Sequence, residues 1–270
     1  MSIKLVAIDL DGTLLNSQRQ VSEENKQAIQ KAKAQGVKVV LVTGRPLKGM
    51  LSILEDCGLT EEGDLGLTYN GGLVQWTQTG ETLSQITHSK TDVLDVYKLS
   101  QKLDLPCNFI DLDTVYEPPY PKDKPSQYSR HMKALPYEPV DMTDLPDPFP
   151  INKIVMCWDQ EELDQKVQEI PDTYRERYTI MKSRDNLLEV LPKAVDKGKG
   201  LKLLSELLDI ALDEMMAIGD QENDLAMVQA AGIGVAMSNA LDSVKENAQF
   251  ITRSNDEHGV AYAIERYVLN

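Results

Sequence analysis

The residue types best suited to chemistry gather at four points of this 270-residue chain. Asp9 and Asp11 stand two apart in the turn DLDGT, and Thr43, Gly44 and Arg45 follow an apolar run. Lys197 lies in VDKGKG, while Asp220, Asn223 and Asp224 lie in GDQEND. Two carboxylates set as close as Asp9 and Asp11 repel each other unless a cation or a held proton offsets the charge, so the turn calls for a metal, a raised pKa, or both. Asp220 and Asp224 pose the same problem at a helix start. Like charges four apart there cost roughly 0.2–0.5 kcal/mol, a penalty that a helix N-terminus and a cation reverse. Hard oxygen donors of this kind suit Mg²⁺. The Thr43 hydroxyl and the N–H groups after it can hold anionic oxygens, and a lysine can neutralise phosphate charge.

These residues need elements that bring them together. The run Ile3 to Ile8 reads as a strand buried on both faces, so Asp9 and Asp11 stand at its carboxyl end. That end is where ligands bind in open α/β sheets. A strand–helix alternation follows: helix 22–35, strand 37–42, helix 47–56 and strand 65–69. Ser22 with Glu23 and Glu24 supplies a helix start, and Gly36 a helix stop. Short connections of this kind imply a parallel sheet. Asn70, Gly71 and Gly72 then signal a hairpin turn. Between about 84 and 189 the pattern changes to a helix near 93–103, short strands near Phe109 and over 153–158, and a proline-rich stretch over 118–150 that reads as loops. After Pro192 the alternation returns, with strands at 215–218, 233–236 and 250–252 and helices at 200–208, 222–230, 241–247 and 257–268. The expectation is an α/β fold: a core of 1–83 plus 190–270, split by an inserted α+β cap at 84–189.

Composition narrows the partners. The formal net charge is −15, and no Lys/Arg block marks a track for nucleic acid, so nucleic acid is not an expected partner. A phosphorylated substrate would meet an opposing overall field, which local cations must overcome. No apolar stretch of about 18 residues interrupts the chain, which predicts no membrane span and a cytoplasmic protein. Cys57, Cys107 and Cys157 form no CxxC pair and suggest buried thiols. His88, His131 and His258 fall in no HExxH spacing, and neither a GxSxG elbow nor a Walker loop is present. An EF-hand fails on spacing, because Gly12 is fourth from Asp9 and Gln20 is twelfth.

The set DLDGT, VTGR, VDKGKG and GDQEND, in that order, resembles the haloacid dehalogenase superfamily of aspartate-nucleophile phosphatases. The NGG turn and the long insertion before VDKGKG resemble its Cof-type (IIB) branch, with a large α/β cap. The resemblance implies a Rossmann-like doubly wound core sheet and Mg²⁺-dependent hydrolysis of small phosphorylated metabolites, sugar phosphates first among them. It implies Asp9 as nucleophile and Asp11 as general acid and base, the latter suited to that role if Asp9 and Asp220 raise its pKa. It further implies Asp9, Asp220 and the Asp11 carbonyl as metal ligands. Leu10, Thr43, Gly44, Lys197 and Asn223 would hold phosphate, with Asp224 and Arg45 in support. Arg45 would reach the substrate. Cap residues Tyr128, Arg130, Lys182 and Arg184 are further candidates for substrate contact.

Other outcomes share these motifs. A phosphomutase or phosphotransferase would use the same aspartyl-phosphate but pass the group to another sugar hydroxyl. A binding module would keep the fold and lose turnover, although an intact reactive set argues against such decay. Dehalogenation needs neither the GDQEND metal motif nor the acid at Asp11. The expected assembly is a monomer or a weak homodimer.

Overall fold

The computed structural model describes residues 2–269, which form two compact units: one of residues up to Ser84 together with those from Asp196 on, the other Gln85–Val195. In chain order the first unit contributes strands β1 (Leu5–Asp9), β2 (Lys38–Val42), β3 (Leu65–Thr68), β4 (Leu73–Trp76) and β5 (Thr82–Gln85), with helices α1 (Glu23–Ala34) and α2 (Leu51–Asp56). The inserted unit adds β6 (Cys107–Ile110), β7 (Val115–Glu117), β8 (Tyr137–Pro139), β9 (Lys153–Cys157), β10 (Tyr178–Arg184) and β11 (Leu187–Pro192). Its helices are α3 (Lys90–Leu103), α4 (Gln160–Gln168) and α5 (Asp172–Arg177). The first unit resumes with α6 (Lys197–Leu208), β12 (Met215–Gly219), α7 (Leu225–Ala230), β13 (Ile233–Ala236), α8 (Asp242–Lys245), β14 (Phe250–Ile251) and α9 (Gly259–Tyr267).

The first unit is an eight-stranded sheet in the order β14-β13-β12-β1-β2-β3-β4-β5. Pairs from β14 to β3 are parallel, and β3 and β4 form an antiparallel hairpin. Alternate residues of each strand feed opposite faces. Val6, Ile8, Val39, Leu41, Met216 and Ile218 pack with Ile29 of α1 and Ile264 of α9. Leu5, Ala7, Val40, Val42, Met215 and Ala217 pack with Leu201 and Leu204 of α6 and Met227 of α7. Helices thus cover both faces, which makes the sheet doubly wound. Ser22 caps α1, its hydroxyl accepting from Asn25 N–H at 3.3 Å.

The chain leaves β1 toward β2 and β3 on one side and returns to β12 on the other, so the order reverses between β1 and β12. Such a switch point opens a crevice at the strands' carboxyl ends. The register pairs Ile8 with Ile218 and Asp9 with Val42. Asp9, Thr43 and Asp220 therefore emerge side by side.

The inserted unit is a six-stranded sheet in the order β10-β11-β9-β6-β7-β8, antiparallel except between β7 and β8. Val93, Val96, Leu99 and Leu103 of α3 and Leu163 of α4 pack on Phe109, Ile154, Met156, Leu188 and Val190. Pairing of β11 with both β9 and β10 carries this unit to Val195, beyond residue 189. The proline-rich stretch 118–150 is mostly loop, with β8 and one short 3₁₀ turn, Tyr128–Arg130. All three cysteines are free and buried. No helix among the described residues is long and apolar enough to cross a membrane.

Candidate active site at the carboxyl ends of the core strands

Asp9 closes β1 and is 6% exposed. Lys197, expected just before a helix, is instead the first residue of α6, behind the cap residue Asp196. Its side chain is fully buried, and its Nζ lies 2.6 Å from Asp9 Oδ1 and 2.6 Å from Asp224 Oδ1. Asp224 Oδ2 accepts from the N–H groups of Asp220 and Gln221, each at 2.9 Å. Asp220 Oδ1 accepts from the Thr13 hydroxyl at 3.0 Å, and its Oδ2 accepts from Gln221 Nε2 at 3.0 Å. Oxygens of Asp9, Asp220 and Asp224 all lie within 4.8 Å of one another.

Three carboxylates against one ammonium leave two negative charges in a buried site. Burial pushes the Asp9 carboxyl well above its ordinary range, and Asp224 and Asp220 add to the shift against the pull of Lys197. Burial also raises Asp220 to about 6, with Asp224 the next cause. Burial opposes the charge on Lys197, but Asp224 and Asp9 outweigh it and raise its pKa. The donors are all hard oxygens and their surplus charge equals that of a divalent cation, so the residues fit Mg²⁺.

The glycines of the motifs are required by close approach. Gly12 has φ +89, and a Cβ there would stand 2.4 Å from Asp220 Oδ2. A Cβ on Gly198 would meet the Ala226 carbonyl oxygen at 2.6 Å, and one on Gly200 the Gly71 Cα at 2.7 Å. The KGKG segment thus lets α6 approach backbone to backbone, which seats Lys197 against Asp9.

The phosphate-holding candidates surround this cluster less directly. Thr43 is buried, and its hydroxyl oxygen accepts from Arg45 N–H at 3.2 Å. Gly44 is half-buried beside the Asn70 side chain. Leu10 is a core residue whose carbonyl accepts from Leu15 N–H at 2.9 Å. Asn223 Nδ2 donates to Asn70 Oδ1 at 3.1 Å.

The Asp11 carboxylate lies outside the three that converge. Arg45 grips it instead, with Nε 3.0 Å from Oδ2 and Nη2 2.5 Å from Oδ1. Arg45, expected to reach substrate, therefore holds Asp11 in a two-point fork. In the inserted unit, Tyr128 is buried, Arg130 donates to Gln127 Oε1 at 3.0 Å, and Lys182 pairs with Asp164. Arg184 lies at the exposed end of β10. Sequence reasoning did not single out Thr13, Gln221 or Asn70 as site residues. Thr13 and Gln221 were in view as neighbours inside two motifs; Asn70 showed only a turn signal.

A family model described as haloacid dehalogenase-like hydrolase matches residues 6–264. The chain belongs to that family. Its doubly wound core agrees with the solved structure of a haloacid dehalogenase-like hydrolase from Bacteroides thetaiotaomicron. That structure is 30% identical, with a TM-score of 0.84, over 98% of this chain and 99% of that one. YxeH of Bacillus subtilis (strain 168), whose name carries a provisional phosphatase assignment, is 41% identical over 266 residues, covering 98% of each chain. YcsE of the same organism, named 5-amino-6-(5-phospho-D-ribitylamino)uracil phosphatase, is 30% identical over 270 residues, covering 100% of this chain and 97% of its own. This family member is a phosphatase.

Proposed function

We propose that this phosphatase hydrolyses small phosphorylated metabolites, sugar phosphates above all, through an aspartyl-phosphate on Asp9. The observation that carries the reading is the buried junction of Asp9, Lys197, Asp220 and Asp224. Lys197 occupies one oxygen of Asp9, and we assign the other to attack phosphorus. An O–P bond forms to Asp9 as the bond to the sugar oxygen breaks, and Asp11 gives its proton to the departing alkoxide. Water then attacks the aspartyl-phosphate, Asp11 takes the water's proton, and Asp9 and inorganic phosphate are released. Lys197, the Thr43 hydroxyl, the N–H groups of Leu10 and Gly44 and the Asn223 amide would hold the phosphoryl oxygens. Both Asp11 oxygens accept from Arg45, and each keeps a second lone-pair site at which a proton can sit.

Asp9, Asp220 and the Asp11 carbonyl would hold Mg²⁺, with Asp224 in support; when bound, the ion supplies positive charge against the phosphoryl oxygens. The sugar-phosphate reading draws support from YcsE, whose name describes a phosphate ester on a ribityl chain. We assign catalysis to the first unit and substrate choice to the inserted one. Phosphate release from a panel of sugar phosphates, with Mg²⁺ and with chelator, tests the function. Metal-dependent release abolished by Asp9→Asn is expected. Full activity in that variant would remove the covalent mechanism, and transfer to a sugar hydroxyl without release would point to a mutase.

A further inference from the structure

The NGG turn does more than join β3 to β4. Tyr69, Asn70 and Gly71 have φ of 50°, 56° and 96°, three successive left-handed residues. That conformation is costly for tyrosine and tolerable for asparagine. Backbone held in this way clusters at working sites. Asn70 is 1% exposed, and its contacts reach two of the segments assigned to phosphate. Its N–H donates to the Thr43 carbonyl at 2.9 Å, continuing the β2–β3 pairing past the strand ends. A Cβ on Gly44 would stand 3.1 Å from both polar atoms of its amide. Its Oδ1 accepts from Asn223 Nδ2 at 3.1 Å, across 153 residues of sequence. One residue on, a Cβ at Gly71 would meet the Asp196 carbonyl oxygen at 2.4 Å, so the turn also abuts the start of the helix that carries Lys197.

We infer that Asn70 is a positioning residue: its side chain orients the Asn223 amide and abuts Gly44, so that the two phosphate-binding segments present their donors together. The inference rests on the phosphatase reading above and adds to it a residue that does not itself react. An amide nitrogen has two hydrogens; the one given to Asn70 fixes the plane in which the other is offered to phosphate. A ligand group displaced by about 1 Å can cost 10²-fold in rate.

Asn70→Gly separates positioning from folding, because glycine adopts φ 56° without strain and leaves the turn intact. Melting temperature, kcat/KM and the inhibition constant of inorganic phosphate are measured for Asn70→Gly, Asn223→Ala and the double variant. The expected result is an unchanged or higher melting temperature with kcat/KM and phosphate affinity each reduced about 10- to 100-fold. The double variant should lose less than the product of the two single losses, as befits residues acting as one unit. Asn70→Gly with wild-type phosphate affinity, or single losses that multiply in the double variant, would overturn the inference. Failure of the phosphatase reading shows separately, as turnover that survives Asp9→Asn while the phosphate-affinity cycle remains measurable.

Discussion

Each unit buries a lysine against carboxylate, and the two sites differ in their charge balance. In the inserted unit Lys153 Nζ meets Glu189 Oε1 at 2.9 Å, both side chains are 4% exposed, and the Ser183 hydroxyl donates to the same oxygen at 3.0 Å. A single lysine here faces a single carboxylate in a close ion pair. In the first unit Lys197 answers Asp9 and Asp224, and Asp220 stands close by with no lysine of its own. A balanced buried pair is close to neutral for stability, because desolvation offsets attraction. A surplus of two charges is what the Mg²⁺ of the proposed function would offset. The difference teaches that burial of ionisable groups does not by itself mark a site; the unmatched remainder does.

Loss of each lysine should break this comparison most sharply. Lys197→Met removes the charge that holds Asp9 and phosphate, and turnover should fall by about 10³-fold or more in steady-state assays. Lys153→Met should instead appear in urea denaturation, as a loss of about 3–5 kcal/mol from the stranded Glu189 carboxylate. Replacing both partners, Lys153→Met with Glu189→Leu, should restore most of it. No comparable double replacement in the first unit should preserve activity.

The two units should also answer pH with opposite signs. Asp220, raised from 3.8 to about 6, holds its proton more tightly folded than unfolded. In chelator its contribution is full below about pH 3.8 and is lost as pH rises through about 6. Hydrogen exchange of β1 and β12 amides should report this loss, and Mg²⁺ should abolish it. His88 behaves in reverse. Burial lowers its pKa against the Val190 carbonyl and Asp92, and its Nδ1 has no hydrogen-bond partner. Its contribution is present above pH 6.5 and is lost as pH falls through the lowered folded value. The smallest expected effect is therefore faster exchange of β9 and β11 amides in acid, flattened by His88→Phe.

The two units were also unequally legible in sequence. Strands β1, β2 and β12 carry apolar runs that lead into Asp9, Thr43 and Asp220, so both the parallel sheet and the residues at its crevice could be read directly. The segment 159–192 gave no such signal. Helix α4 buries only Leu163, and β10 is a half-exposed edge strand whose alternation is indistinct. Within the site, residue types were legible and pairings were not. Nothing in the spacing says that Arg45 folds back on Asp11, or that Asn70 meets Asn223 across the chain. Those contacts depend on how four separate turns stack above the sheet.

Calorimetric titration of Mg²⁺ into the substrate-free protein at neutral pH tests the central claim most directly. The charge surplus predicts saturable binding of one ion per chain, weakened at least tenfold by Asp220→Asn and unchanged by the Lys153→Met, Glu189→Leu double variant. Absence of saturable binding, or equal affinity in Asp220→Asn, would contradict it.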